Sequence, residues 1–338
     1  MAQPARVAIV RATHLGDLLC AIPMLRSLRR LWPAARVTLV GLPWARILPD
    51  RFSAYLDDFL EFPGWPGIPE RDVDADRLAD FLRQARAMHF DLAIQAHGDG
   101  TKMNRFLNLL QARETVGFHP PGEPSPGPGF IAYPTDRHEA LRLLALAARL
   151  GARDLDPALE FPVAAADRAA AAELRAELKV DGRAYACLHP GGSTAARRWD
   201  ARGFAGVADE LTATGLEVVL TGVSGEAAIA ADVARRARHP LRSAVGRTSL
   251  GSLAALIADS RLVVSNDTGV SHLAAALRVP SVVVFTGSDP ARWAPLASRL
   301  HRVVDPARSG GHGSGRRRAV EVILAVRQQL RASAGASA

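Results

Sequence analysis

Val263 to Phe285 reads VVSNDTGVSHLAAALRVPSVVVF. An apolar run breaks into Asn266-Asp267-Thr268-Gly269, restarts at helical spacing around His272, and returns to a run of valine. A buried strand, a short polar turn, a helix and a second buried strand form one βαβ unit, whose strands run parallel. Ligands of such sheets bind where strands end and helices begin, so the polar turn is a candidate binding site.

Working outward, the same alternation fills the second half. A strand in AYACLHP (184–190) precedes the Gly-rich loop GGSTAARRW (191–199), a helix, the strand EVVLTG (217–222) and a helix from Gly225. The first half opens with RVAIVRATHLGDLLCAIPMLRSLRRLWP (6–33), read as strand, loop and one helix carrying Leu18, Leu19, Ile22, Leu25 and Leu28. Further strands fall in ARVTLVGLP (35–43), FDLAIQA (90–96) and ETVGF (114–118). Strands alternating with helices predict an α/β protein with doubly wound parallel sheets.

The Pro and Gly density of HPPGEPSPGPGFIAYP (119–134) predicts an irregular surface loop. A helix, EALRLLALAARLG, follows and stops at Gly151; DLDPALEFPVAAADR (154–168) reads as a connector between domains 1–162 and 163–338. Near the end, RSGGHGSGRRR (308–318) reads as a flexible basic loop, and AVEVILAVRQQLRA (319–332) as an amphipathic C-terminal helix. Two similar α/β halves predict a ligand cleft between them.

Composition sets the broad class. The 338 residues, 48% hydrophobic and 22% charged, suit a soluble protein with two buried cores. No apolar run reaches the length of a membrane span and the first residues do not form a signal peptide, so a cytoplasmic protein is expected. Cys20 and Cys187 lie far apart in apolar segments, and no disulfide framework is expected. The net charge of +8 suits an anionic ligand. Nucleic acid is disfavoured, because no aromatic-interleaved basic motif and no Cys/His zinc spacing occur. A nicotinamide oxidoreductase is disfavoured because no GxGxxG follows the first strand.

Four loops at expected strand ends carry the polar residues. In THLGD, Gly16 is expected to turn the backbone sharply, and Asp17 is either a first-turn helix carboxylate or a general base. In HPGGSTAARRW, the N–H groups and hydroxyls of Gly191, Gly192, Ser193 and Thr194, with Arg197 and Arg198, suit phosphate oxygens or else form a solvated turn. In TGVSGE, Glu226 either accepts both ribose hydroxyls or stands as a first-turn acid. In the opening stretch, Thr268, Gly269 and the following N–H groups suit an anion at a helix start. Asp267 beside them needs a backbone or hydroxyl partner, and His272 faces either loop or core.

Taken in order, THLGDLLCAIPMLRSLRRLWPAARVTLV, HPGGSTAARRW, GVSGE and SNDTGVSHLAAALRVPSVVVFTGSDPARWAP resemble glycosyltransferase family 9, the bacterial ADP-heptose:lipopolysaccharide heptosyltransferases and their relatives. The resemblance spans almost the whole chain. It implies a GT-B fold, two Rossmann-like domains facing a central cleft, with acceptor on the first and nucleotide sugar on the second. It implies Asp17 as catalytic base, acceptor contacts at Thr13, His14 and Gly16, and donor contacts at Gly191, Ser193, Thr194, Arg197, Glu226, Asp267, Thr268, Gly269 and His272. The implied partners are an ADP-sugar donor and a lipid-linked or lipopolysaccharide-core glycan acceptor, with peripheral contact at the inner membrane; no cofactor, metal or nucleic acid is implied. The HEALRLL segment from His138 resembles the family's helix before the linker. Two departures stand out: Arg197 replaces the usual Lys of a K-x-W-P pattern, and Asp200 replaces its Pro. They keep open a relative that binds nucleotide sugar or glycan without turnover, beside a family 9 transferase using a different nucleotide sugar.

Overall fold

Each strand expected from the apolar runs forms in the computed structural model, which describes residues 3–305 and 315–335. The chain divides into two units, Met1–Ala158 and Leu159–Ala338. Unit 1 contains β1 (Arg6–Val10), β2 (Arg36–Gly41), β3 (Asp58–Glu61), β4 (Leu92–Gln95), β5 (Glu114–His119) and β6 (Phe130–Ala132). Its helices are α1 (Leu15–Leu19), α2 (Ile22–Leu31), α3 (Leu48–Arg51), α4 (Ala75–Ala87), α5 (Met103–Leu109) and α6 (Glu139–Arg149). Unit 2 contains β7 (Tyr185–His189), β8 (Glu217–Leu220), β9 (Arg242–Ser243), β10 (Leu262–Asn266), β11 (Ser281–Val284) and β12 (His301–Val304). Its helices are α7 (Ala165–Glu177), α8 (Ala201–Ala213), α9 (Ala227–Arg236), α10 (Leu250–Ala258), α11 (Gly269–Ala276), α12 (Pro290–Trp293) and α13 (Gly315–Gly335).

Both sheets are parallel throughout. Unit 1 has the order β3-β2-β1-β4-β5-β6, and unit 2 repeats it as β9-β8-β7-β10-β11-β12. This is the Rossmann order, and the winding reverses between β1 and β4 and between β7 and β10. The central strands read as continuous apolar runs because helices cover both their faces: every residue of β7 and β10 is buried.

Phe106 of α5 centres an aromatic cluster in unit 1, with ring centroids 5.1 Å from Phe62, 5.4 Å from Phe81 and 5.6 Å from Trp65. In unit 2 the core joins Leu188 and Val264 of the sheet to Phe204 of α8 and to Val322 and Val326 of α13.

Four local expectations change. The helix read through Leu28 is two helices, α1 and α2, interrupted at Cys20-Ala21. Pro23 is the reason: it has no N–H to bond the Leu19 carbonyl, and it suits the first turn of a new helix. Within the Pro-rich stretch, Phe130–Ala132 pairs in parallel with Gly117–His119 as the edge strand β6. Proline on either side is tolerated there because an edge strand bonds one neighbour only. The connector is shorter than expected, since α7 begins at Ala165. Its first part is tied to α2, with Arg26 donating to the carbonyls of Asp156 (2.7 Å) and Ala158 (3.0 Å). Of the expected basic loop, residues 308–314 lie outside the described residues, while 315–318 already belong to α13. Both cysteines are buried and neither forms a disulfide among the described residues, and no helix among the described residues is long and apolar enough to cross a membrane.

Phe106→Ala removes the centre of the unit 1 aromatic cluster. It is expected to cost about 3–5 kcal/mol, read as a lower urea midpoint for the unfolding of that unit.

Candidate functional site

In unit 2 the expected donor residues gather past the C-terminal ends of three neighbouring strands, β10, β7 and β8. The β7–β10 register, with Ser265 beside His189, sends the loops after the two strands off side by side. Asn266 ties them together. Its amide N–H groups bond the carbonyls of Pro190 and Gly191, each at 2.9 Å, and its carbonyl accepts from the Trp199 N–H at 2.9 Å. Glu226 closes the other side, accepting from the N–H of Gly192 (2.9 Å) and of Val223 (3.0 Å). A Cβ at Gly191 would overlap that carboxylate, so only glycine leaves it room.

His189 is buried beneath Glu226, its Nε2 3.8 Å from the carboxylate and its Nδ1 3.1 Å from the Thr221 hydroxyl. Burial holds its proton affinity below the ordinary histidine value against the pull of Glu226. Ser193 and Thr194 are exposed at the loop tip, and Arg197 is half-buried, its side chain making no hydrogen bond or ion pair among the described residues. Arg198 instead donates to the Gly192 carbonyl at 2.7 Å. Asp200 caps α8, accepting from the Gly203 N–H at 2.9 Å. Aspartate at an N-cap and proline at a first turn both start helices, so this departure from the family pattern leaves the local fold intact.

At the start of α11, Thr268 is the N-cap without a side-chain capping bond, and its hydroxyl is buried without a partner. The first N–H groups of the helix have no intrahelical acceptor. Asp267 finds the hydroxyl partner it needs in Ser288, from the loop after β11. His272 faces inward, buried, with Trp293 of α12 edge-on at 6.1 Å between ring centroids. Among the described residues no group of three or more His, Cys, Asp or Glu could hold a metal ion.

In unit 1 the corresponding switch point carries THLGD after β1. Asp17 stands in the first turn of α1, its side chain 33% exposed. Gly16 does not turn the chain sharply: it lies inside α1, buried, with no left-handed φ. His14 is the exposed N-cap of that helix, while Thr13 is buried with its hydroxyl unpartnered and its carbonyl accepting from the Trp44 indole N–H at 3.2 Å.

Several residues here were not singled out from the sequence. Arg11, buried just past β1, donates from Nε and Nη2 to the Asp17 carbonyl (2.9 and 2.7 Å) and from Nη1 to the Ala96 carbonyl. It also pairs with Glu139 of α6 at 3.1 Å. The loop after β4, HGDGTK (97–102), is a Gly-punctuated polar run of the kind that flags the other site loops. Its His97 is buried 3.9 Å from Glu70, and burial reinforced by Arg11 pushes its pKa down to about 4.

Two outcomes are expected. Asn266→Ala strands buried partners at Pro190, Gly191 and Trp199 and costs about 1–3 kcal/mol, measured by urea unfolding. Burial holds both His97 and His301 to about 4, against 6.5 ordinarily. The unfolded chain therefore takes up protons that the native state refuses. Stability, full above 6.5, falls as pH drops through that window by about 1.4 kcal/mol per histidine per pH unit. The urea midpoint falls between about pH 7 and about pH 5, and falls less in His97→Gln.

Known proteins resemble this arrangement. The family model described as glycosyltransferase family 9 (heptosyltransferase) matches residues 131–312. Lipopolysaccharide heptosyltransferase 3 of Escherichia coli is 25% identical over 300 residues, 84% of either chain. A family 9 glycosyl transferase from Veillonella parvula superposes with a TM-score of 0.81 at 21% identity, covering 96% of this chain and 97% of that one. E. coli heptosyltransferase WaaC, solved with ADP, superposes at 0.69 and 20% identity, covering 97% and 99%. The expected GT-B class of two Rossmann-like parallel-sheet domains therefore stands. With the family model matched over more than half of its length, the chain belongs to glycosyltransferase family 9 and is a glycosyltransferase.

Proposed function

We propose that the chain moves a heptose, or a related sugar, from an ADP-sugar held by unit 2 to a lipopolysaccharide-core or other cell-envelope glycan held by unit 1, inverting the anomeric centre. The observation that carries this reading is the convergence of the Gly191 loop, Glu226 and the start of α11 on one switch point. The names of the relatives, lipopolysaccharide heptosyltransferases and one enzyme solved with ADP, support the choice of sugar, nucleotide and acceptor.

Each group has a part the chemistry needs. Glu226 accepts one backbone N–H on each oxygen, and each oxygen keeps a lone pair for a ribose hydroxyl. Arg197 and the first N–H groups of α11 meet the diphosphate, the guanidinium as a fork and the helix start as a positive dipole end. Asp267 accepts the Ser288 hydroxyl, the kind of partner a carboxylate beside a diphosphate needs. The acceptor oxygen attacks the anomeric carbon as the bond to the diphosphate breaks. Asp17 takes the acceptor's proton, and ADP leaves with the electron pair, its charge met by Arg197 and α11. Asp17, in the first turn of α1, has a partly exposed side chain that an incoming hydroxyl can reach.

In a thermal-shift panel, ADP is expected to raise the melting temperature well above UDP and GDP at equal concentration; equal shifts would end the assignment of the nucleotide. Gly191→Ala displaces Glu226 and is expected to weaken ADP binding by about tenfold or more in calorimetry. Asp17→Ala is expected to slow transfer from ADP-heptose to deacylated lipopolysaccharide core by about 100-fold or more while ADP still binds. Equal rates for the two proteins would remove Asp17 as the base.

A further inference from the structure

Asp17 sits on a helix too short to hold itself. α1 has five residues, and its N-cap, His14, makes no side-chain capping bond. At its other end the Ala21 N–H turns to the Leu18 carbonyl, so the Asp17 carbonyl takes its donors from Arg11. The same guanidinium reaches the Ala96 carbonyl past β4 and the Glu139 carboxylate at the start of α6. One buried planar group thus fastens α1 to two other elements of unit 1.

The charges alternate along this line. Arg142 pairs with Glu139, Glu139 with Arg11 at 3.1 Å, and an Arg11 nitrogen lies 3.8 Å from an Asp17 carboxylate oxygen. Two guanidiniums and two carboxylates sum to zero. Arg142 is further held by the carbonyls of Pro134 (2.6 Å) and Arg137 (3.0 Å) and lies over the Tyr133 ring. Of the other titratable groups nearby, His97 is kept neutral by burial, Glu70 meets His97 at 3.9 Å, His138 caps α6, and His14 is exposed. Glu139 is therefore the second carboxylate on Arg11. Without it the whole Arg11 charge would bear on Asp17.

We propose that Arg11 and Glu139 are positioning residues for Asp17: Arg11 fixes the backbone that carries the carboxylate, and Glu139 takes up guanidinium charge that would make Asp17 a weaker base. This rests on the reading of Asp17 as the base. Removing Glu139 alone strands two buried guanidiniums and endangers the fold, so the test is the double variant Glu139→Gln/Arg142→Gln, which leaves the buried net charge unchanged. Turnover of ADP-heptose with deacylated lipopolysaccharide core is expected to fall by about tenfold or more in kcat. Calorimetric affinity for ADP stays at the wild-type value, and the acidic limb of the kcat/KM profile moves to lower pH. A folded double variant with wild-type kcat and profile overturns the proposal. Should that variant fail to fold, Arg11→Lys, which keeps the charge and loses the fork, decides by the same kcat and ADP readouts. Asp17→Asn is measured alongside. Its full activity would end the reading of the base; its inactivity beside an unaffected double variant would end only the positioning role.

Discussion

The parallel pairing of β7 with β10 is the constraint on which the rest of unit 2 rests. Their register runs from Ala186 beside Leu262 to His189 beside Ser265. It brings two loops, far apart in sequence, out of the sheet as neighbours. Everything distinctive about the site follows from that adjacency: Asn266 can reach across to Gly191, Glu226 can reach in from β8, and the start of α11 faces the same space. A slip of one residue would present every side chain to the opposite layer of helices, so the close packing on both faces fixes the loops as well as the core.

Units 1 and 2 share a topology but spend their polar residues differently. Unit 2 arranges backbone N–H groups, a helix start and one uncommitted arginine, which suits a ligand bearing fixed negative charge. Unit 1 buries an alternating line of arginine and carboxylate behind one partly exposed acid. Buried charges are costly to desolvate and apolar packing could replace them without loss of stability. Their retention beside Asp17 is more readily explained by what they do to that acid than by what they add to the fold.

Much of this was legible in the sequence because strands buried on both faces announce themselves as apolar runs. The loops that end them were legible too, through Asn266-Asp267-Thr268-Gly269 and Gly191-Gly192. What escaped had weak local signals. Arg11, charged and next to an apolar strand, reads as the point where the chain meets water, yet it is buried. Asn266 reads as a turn residue, and only the strand pairing reveals its three hydrogen bonds. The alanine-rich start of α7 lacks the large apolar residues that mark a period, so it passed for connector. The break between α1 and α2 was readable, since Pro23 was in plain view, but the leucine spacing ran through it undisturbed.

α13 lies behind the Gly191 loop rather than in it. It packs on α8, whose N-cap Asp200 directly follows Trp199, and it supplies Val322 and Val326 to the core that seats that indole. Every strand of unit 2 precedes α13 in the chain. On the ribosome, unit 1 has all its own parts long before unit 2 can seal its interior. Newly made chains thus pass through a stage in which the second core still lacks the helix that packs over α8, β11 and β12.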